Sequence, residues 1–401
     1  MSLDISQIAA QVATMAARLR DGLEQWRQRL DKALDVLGDK SIDLNELKAK
    51  IARSRGKTTW LVADIVDSLC GCYPPPVAPS DFTILATDGS HIDVDRHQST
   101  RCFLINIGGV RLSYGDQPDA VLENHPRLYS SDEELVLRSP DNSREQPIEG
   151  ALLGIKRGIE ECRHLAEMAA GLPPETPAVA LVDGSLILWE LASKDQSRFV
   201  VEELLDNGFL RYIEELRQLG RDRPLALASY ISFPRATDVV NTLRVAICPA
   251  ETVDTDRCKA CETRQCDAVA GVRDRDLFTH ILEDGQRSPL FISQSFILDR
   301  YPGEQRVYFF YLRVDDEIAR IEVPRWVALD ARRLELVHSL VLDQCRRGQG
   351  YPVALSEAHE QAVLTAADRE SFRQLIELSL AEENLPAATS AKSRSKRTRW
   401  V

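Results

Sequence analysis

Two stretches of this chain set an acid, a glycine and a serine at the end of an apolar run: Phe82-Thr83-Ile84-Leu85-Ala86-Thr87-Asp88-Gly89-Ser90 and Ala178-Val179-Ala180-Leu181-Val182-Asp183-Gly184-Ser185. Apolar runs of this length, bounded by turn residues, predict buried strands. The glycine after each acid predicts an abrupt turn. Asp88 and Asp183 are therefore expected at the carboxyl ends of core strands, where a carboxylate leaves the core and faces a cleft. Side by side, two such carboxylates repel and need a proton or a cation between them. Metal-assisted hydrolysis is the chemistry such a pair supports. Asp-Gly is also a common turn dipeptide, so the signal lies in the repeat.

The order strand, strand, strand, helix, strand, helix, strand resembles the ribonuclease-H-like plan, which implies a third acid from the helix preceding the Asp183 strand. Ile148, Leu152, Ile155, Ile159, Cys162, Ala166 and Ala169 form one stripe of a helix over 148–170, which Gly171 and the Pro173-Pro174 pair end. Helix and strand run antiparallel, so an acid level with Asp183 lies well back from the helix end. The strand from Ala178 to Asp183 spans roughly 17 Å, which about 11 helical residues match. Counting back from Ala170 reaches Glu160 and Glu161. Glu161 is favoured, Glu160 is the second choice and Glu149 the outlier.

The late stretch Gly350-Tyr351-Pro352-Val353-Ala354-Leu355-Ser356-Glu357-Ala358-His359 offers two more candidates. Ser356 reads as an N-cap, which places His359 in the first turn of a helix, within reach of a neighbouring cleft. Cys258, Cys261 and Cys266 have C-x2-C-x4-C spacing, with Cys248 ten residues earlier. Such thiolates can ligate a structural zinc, although the usual second C-x2-C pair is missing.

The elements that must position these residues follow the order strand, strand, strand, helix, strand, helix, strand. Residues 1–55 carry an amphipathic stripe (Ile8, Val12, Met15, Leu19, Leu23, Trp26, Leu30, Leu34, Leu37) and are expected to form a helix or helical hairpin. Residues 1–73 thus read as an N-terminal helical arm, ended by Pro74-Pro75-Pro76-Val77-Ala78-Pro79. Residues 101–107 and 110–114 read as two strands joined by a hairpin turn at Gly108-Gly109. Residues 116–146 read as a surface insertion, and 248–275 as a cysteine-containing loop. A helix is expected over 200–219 and a strand at 225–228. Further strands are expected at 290–297, 306–314 and 318–323, and helices at 325–347 and 357–381. The expected class is α/β: a ribonuclease-H-like mixed sheet flanked by helices over 74–384, with C-terminal helices and a basic, disordered tail over 385–401.

The chain has 401 residues, a formal net charge of -12 and nine cysteines. That length supports a large core. The acidity argues against a simple electrostatic nucleic-acid binder, though not against a nuclease with a metal site. No apolar run reaches membrane-span length and no secretory leader is evident, so a cytoplasmic location with reduced thiols is expected.

The paired Asp-Gly-Ser motifs, the helix between them and the late Gly-Tyr-Pro-Val-Ala-Leu-Ser-Glu-Ala-His stretch resemble the NurA nuclease family over about residues 50–380. The resemblance implies a ribonuclease-H-like fold and manganese-dependent cleavage of DNA, with magnesium as the alternative ion. It also implies 5′-to-3′ exonuclease and single-strand endonuclease activity, a homodimer, and a HerA-type hexameric ATPase partner in double-strand-break end processing. Asp88, Glu161 and Asp183 match its metal ligands and His359 its late histidine, in a two-metal hydrolysis. Tyr351 is a candidate phosphate contact, and Asp330 and Asp343 are candidates for a further late acid. The Cys258–Cys266 cluster lies outside the family pattern. Two other classes stay open. One is a ribonuclease-H-like adaptor without catalysis, which metal titration would separate. The other is an actin-like phosphotransferase, which needs more glycines than Asp88-Gly89-Ser90-His91-Ile92-Asp93 supplies.

Overall fold

The computed structural model describes residues 4–93, 101–193 and 196–385. In chain order the first elements are α1 (Ile5–Leu37), α2 (Leu44–Ser54), β1 (Ala63–Ile65), β2 (Phe82–Ile92), β3 (Phe103–Tyr114), β4 (Asp119–Tyr129), α3 (Asp132–Leu135), β5 (Val136–Arg138), β6 (Glu145–Pro147), α4 (Ala151–Ala170) and β7 (Ala178–Asp183). Then come α5 (Arg198–Val201), a π-helical stretch (Glu202–Phe209), α6 (Leu210–Leu219), β8 (Leu225–Ile231), α7 (Asp238–Ile247), α8 (Asp274–Thr279) and β9 (Phe291–Ser293). The last are β10 (Val307–Val314), β11 (Glu317–Pro324), α9 (Arg325–Ala328), α10 (Ala331–Arg347), α11 (Val353–Ala362) and α12 (Ala366–Glu382). Among the described residues no helix is long and apolar enough to cross a membrane. The basic tail beyond Leu385 lies outside the described residues.

The chain forms two compact units. The larger comprises Pro76–Tyr230, Phe296–Val307 and Glu322–Val401; the smaller comprises Met1–Pro75, Ile231–Ser295 and Tyr308–Ile321. In the larger unit the strand order is β8-β7-β2-β3-β4. β2, β3 and β4 form an antiparallel meander, and β7 and β8 add in parallel beside β2. This is the ribonuclease-H-like plan, with α4 as the crossover to the first parallel strand. Helices cover both faces of it. A Cβ on Gly89 or Gly109 would meet α4, and one on Gly108 would meet α11.

Several local expectations give way to the sheet. β2 does not turn after Asp88. It runs on to Ile92, pairing with β3 throughout. Gly108 and Gly109 make no hairpin; they lie inside the single strand β3 and leave room for a helix on either face. The third meander strand is β4, within the stretch read as an insertion, and its exposed polar residues gave no alternation to read. Residues 290–297 supply only the short β9, and the 200–219 helix passes through the π-helical stretch. Ser356 caps nothing: α11 starts at Val353 after Pro352, so His359 falls in its last turn. Pro352 fixes φ and lacks the N–H that a first helical turn leaves unpaired, which lets it open the helix.

The smaller unit has its own apolar core. Leu30, Ala33 and Leu37 of α1 pack with Leu47 and Ile51 of α2, Val239 and Leu243 of α7, and Phe291, Phe309 and Tyr311 of the strands. The earlier part of the α1 stripe (Ile5, Val12, Met15, Leu19 and Leu23) is exposed. Asp274, fully buried, accepts hydrogen bonds from Val239 N, Val240 N and the Tyr311 hydroxyl, and so satisfies the first turn of α7.

Candidate active site

β2 brings Asp88 to the middle of its sheet, against α11. Asp88 Oδ2 lies 2.7 Å from His359 Nδ1, and Oδ1 accepts from Gly89 N at 2.7 Å. Close packing holds α11 in that position. The absent side chain of Gly108 admits the Ala358 carbonyl, since a Cβ there would stand 2.2 Å from that oxygen. Asn106 Nδ2 donates to the carbonyls of Gln361 and Ala362 at 3.1 and 3.0 Å, and Ser90 Oγ donates to Ala362 O.

The neighbouring strand β7 does end at its acid. Gly184 takes φ +90, a backbone conformation that disfavours any side chain, and turns the chain away directly after Asp183. Glu322, buried at the end of β11, anchors this turn by accepting from Ser185 Oγ at 2.8 Å and Leu186 N at 2.9 Å. Tyr351 donates its hydroxyl to the Asp183 carboxylate and packs edge-on against Tyr230, with ring centroids 5.4 Å apart. Asp183 opens to solvent on one side. Its carboxyl is nonetheless pushed up, first by burial on the other sides and then by Asp88.

Glu161 supplies the third carboxylate from α4. The helix is tied to β2 where Thr87 Oγ1 donates to Glu161 O at 3.2 Å, and Gly89 leaves the space that the Glu161 side chain occupies. Glu161 is only 7% exposed. Arg157 Nε stands 3.0 Å from Oε1 and pairs with it. Burial raises the Glu161 carboxyl to about 7; Arg157 opposes the rise, and Asp88 and Asp183 add to it. Burial likewise pushes the Tyr351 hydroxyl up, helped by Asp183. The site thus gathers negative charge that the protein does not fully offset.

The adjacent glutamate, Glu160, points elsewhere and pairs with Lys156 at 3.0 Å and Arg163 at 2.7 Å. Glu149 precedes the helix and pairs with Arg101. Among the described residues, both late acids find their partners away from the site. Asp330 caps α10 and pairs with Arg333 at 2.6 Å, and Asp343 pairs with Arg347 at 2.6 Å. Among the described residues, Asp88, Glu161 and Asp183 do not close to within 4.8 Å of one another as a threesome. Arg157, Asn106 and Glu322 were not legible as site residues, since an isolated polar residue on a strand or helix has no spacing partner.

Cys258, Cys261 and Cys266 lie in the smaller unit, on the loop after α7. Cys258 and Cys266 are close enough to Cys248 and to each other to disfavour one another's thiolates, a lesser effect than burial at each.

No curated protein matches the chain. Among solved structures, a NurA crystallised with manganese is 13% identical, covers 90% of this chain and 98% of its own, and superposes with a TM-score of 0.36. The catalytic domain of human endonuclease V is 16% identical, covers 74% and 85%, and has a TM-score of 0.31. A type 1 ribonuclease H, LC9-RNase H1, is 11% identical, covers 48% and 87%, and has a TM-score of 0.21. These are distant likenesses. The model of the NurA domain, by contrast, matches residues 82–364, a span that holds Asp88, Glu161, Asp183, Tyr351 and His359. Matched over more than half its length, the chain belongs to the NurA family of nucleases.

Proposed function

We propose that this nuclease is a divalent-metal-dependent DNA hydrolase. In this reading it acts as a 5′-to-3′ exonuclease and single-strand endonuclease, and it processes double-strand-break ends with a HerA-type ATPase. The observation that carries the reading is that Asp88 and Asp183 lie near enough to Glu161 for each to raise its carboxyl, with His359 on Asp88 and Tyr351 on Asp183, in a NurA-family chain. The donor set fits a hard cation such as Mn2+ or Mg2+, which prefers carboxylate oxygens and tolerates one imidazole. The crowding of Glu161 by Asp88 and Asp183, which raises its carboxyl, is what such an ion would relieve. Asp88, Glu161 and Asp183 would hold it. Bound there, a divalent ion supplies Lewis-acid stabilisation of phosphoryl oxygen and a more nucleophilic water at neutral pH.

The chain's own residues do the positioning. His359 engages Asp88 through Nδ1. That leaves Nε2 of a 64% exposed ring to contact a phosphate or to pass a proton to the leaving oxygen. Tyr351 orients Asp183, and Glu322 holds the turn behind it. A second copy of the chain is the proposed oligomeric partner, supported by the exposed apolar stripe on α1. The proposed location is the cytoplasm. Cys258, Cys261 and Cys266 are proposed as a structural zinc site, which metal analysis of Cys258→Ser would check.

The test is cleavage of a 5′-labelled oligonucleotide, single- and double-stranded, with manganese, magnesium or chelator, beside Asp88→Ala. Products that need metal and fall at least about a hundredfold in the variant are expected. Undiminished cleavage by a folded Asp88→Ala protein would sink the assignment.

A further inference from the structure

A second group of ligand-type side chains lies on the α4 face of the same sheet. Glu123 and His125 stand two apart on β4 and so share one face. Glu123 is the direct cross-strand partner of Gly109, and a Cβ built on Gly109 would stand 2.6 Å from His164 Nε2. The missing side chain admits His164, on α4, to the space beside Glu123. One donor atom from each of Glu123, His125 and His164 lies within 4.8 Å of the others, the one such group among the described residues. The two imidazole centroids are 4.3 Å apart, and His125 Nε2 is 3.1 Å from Glu123 Oε2.

Two observations point to a ligand. His164 Nε2 is buried and has no hydrogen-bond partner. A buried polar nitrogen without a partner is costly unless something satisfies it. The other ring nitrogen, Nδ1, lies 3.6 Å from Glu167 Oε2. A carboxylate behind the far nitrogen is the arrangement that fixes the tautomer of metal-binding histidines. It favours the proton on Nδ1 and leaves the Nε2 lone pair free.

We propose that Glu123, His125 and His164 bind a zinc-class divalent cation at a site separate from Asp88, Glu161 and Asp183. Two imidazoles and one carboxylate are borderline donors that favour zinc and its late transition-metal neighbours over magnesium. Tetrahedral bonds of about 2.0–2.2 Å place donors about 3.4 Å apart. Glu123 and His125, with side chains 52% and 45% exposed, are free to swing the remaining distance. On binding, the His125 proton moves from Nε2 to Nδ1 by exchange with solvent, so that Nε2 and Glu123 Oε2 give up their hydrogen bond and each turns a lone pair to the ion. Three protein ligands leave the fourth position to water. The ion pins edge strand β4 to α4 one turn beyond Glu161, and the proposal does not depend on the nuclease mechanism.

The test uses the full-length protein, stripped with chelator and titrated with zinc by calorimetry and with cobalt by visible absorption. One tight zinc site is expected in wild type, to persist in both Asp88→Ala and Cys258→Ser, and to raise the melting temperature when filled. His125→Ala and His164→Gln are each expected to bind at least about tenfold more weakly, with the apo melting temperature of His125→Ala unchanged because its ring is half exposed. The cobalt spectrum of this site lacks a sulfur-to-cobalt charge-transfer band, which separates it from any cysteine site. The proposal is overturned if wild type binds no zinc, if His125→Ala and His164→Gln bind as tightly as wild type, or if binding disappears with Asp88→Ala or Cys258→Ser instead.

Discussion

At the scale of single residues, the deciding contrast is between Glu160 and Glu161. Both are buried on α4, at 4% and 7% exposure, yet they do opposite things. Glu160 is enclosed by Lys156 and Arg163 and is a structural charge. Glu161 faces two other carboxylates, and its proton is held up to about pH 7. Glu161→Gln is therefore expected to melt no lower than wild type, because it removes one of three repelling charges, while cleavage falls at least about a hundredfold. Glu160→Gln is expected to keep cleavage and lose about 1–3 kcal/mol, as its two cations lose a buried partner. Melting curves and oligonucleotide cleavage on the two variants check this. Loss of cleavage in Glu160→Gln alone would reverse the assignment.

At the scale of elements, glycines decide how closely helices approach the sheet. A Cβ on Gly108 would meet the Ala358 carbonyl at 2.2 Å, and a backbone atom cannot swing aside. Gly108→Ala should push α11 outward, cost about 1–3 kcal/mol and weaken cleavage by moving His359. Gly154, inside α4, would meet nothing within 4 Å. Gly154→Ala should add about 0.4–1 kcal/mol and leave cleavage unchanged. Thermal melting and cleavage assays separate the pair, and equal effects would remove the packing argument.

Helix α7 adds a pH prediction. Burial, and then Asp238, raise the Asp274 carboxyl to about 6, against the hydrogen bonds from Tyr311, Val240 and Val239. The folded protein thus holds this proton more tightly than the unfolded chain. Its contribution to stability is complete below about pH 4 and is lost as pH rises through about 6. Relative to Asp274→Asn, wild type should lose about 2–3 kcal/mol across that window. Urea unfolding of both proteins at several pH values measures the difference; a constant difference would refute it.

For the whole molecule, α1 is divided by burial. Ile5 through Leu23 expose their apolar stripe, whereas Leu30, Ala33, Val36 and Leu37 are core residues of the smaller unit. Removing residues 1–23 should leave the melting temperature nearly unchanged. If the exposed stripe is the dimer seam, the same truncation should also yield a monomer by light scattering. Removal through Leu37 should cost several kcal/mol, at about 1.5–3 kcal/mol for each large buried side chain lost. Equal melting of the two truncations would contradict this division.

The sequence by itself determined the strands that carry Asp88 and Asp183 and the α4 helix that carries Glu161. These follow from apolar periodicity, which is a local property. It did not distinguish a strand-ending glycine from a space-making one. Gly184 turns the chain at φ +90, while Gly89, Gly108 and Gly109 stay in extended strands and receive side chains or backbone from helices distant in sequence. Nor did it show that Ser356 lies inside α11, that the polar β4 pairs with β3, or that Glu322 holds the Asp183 turn. Those depend on which surfaces meet after folding, and only the tertiary structure brings together residues as far apart as Asp88 and His359.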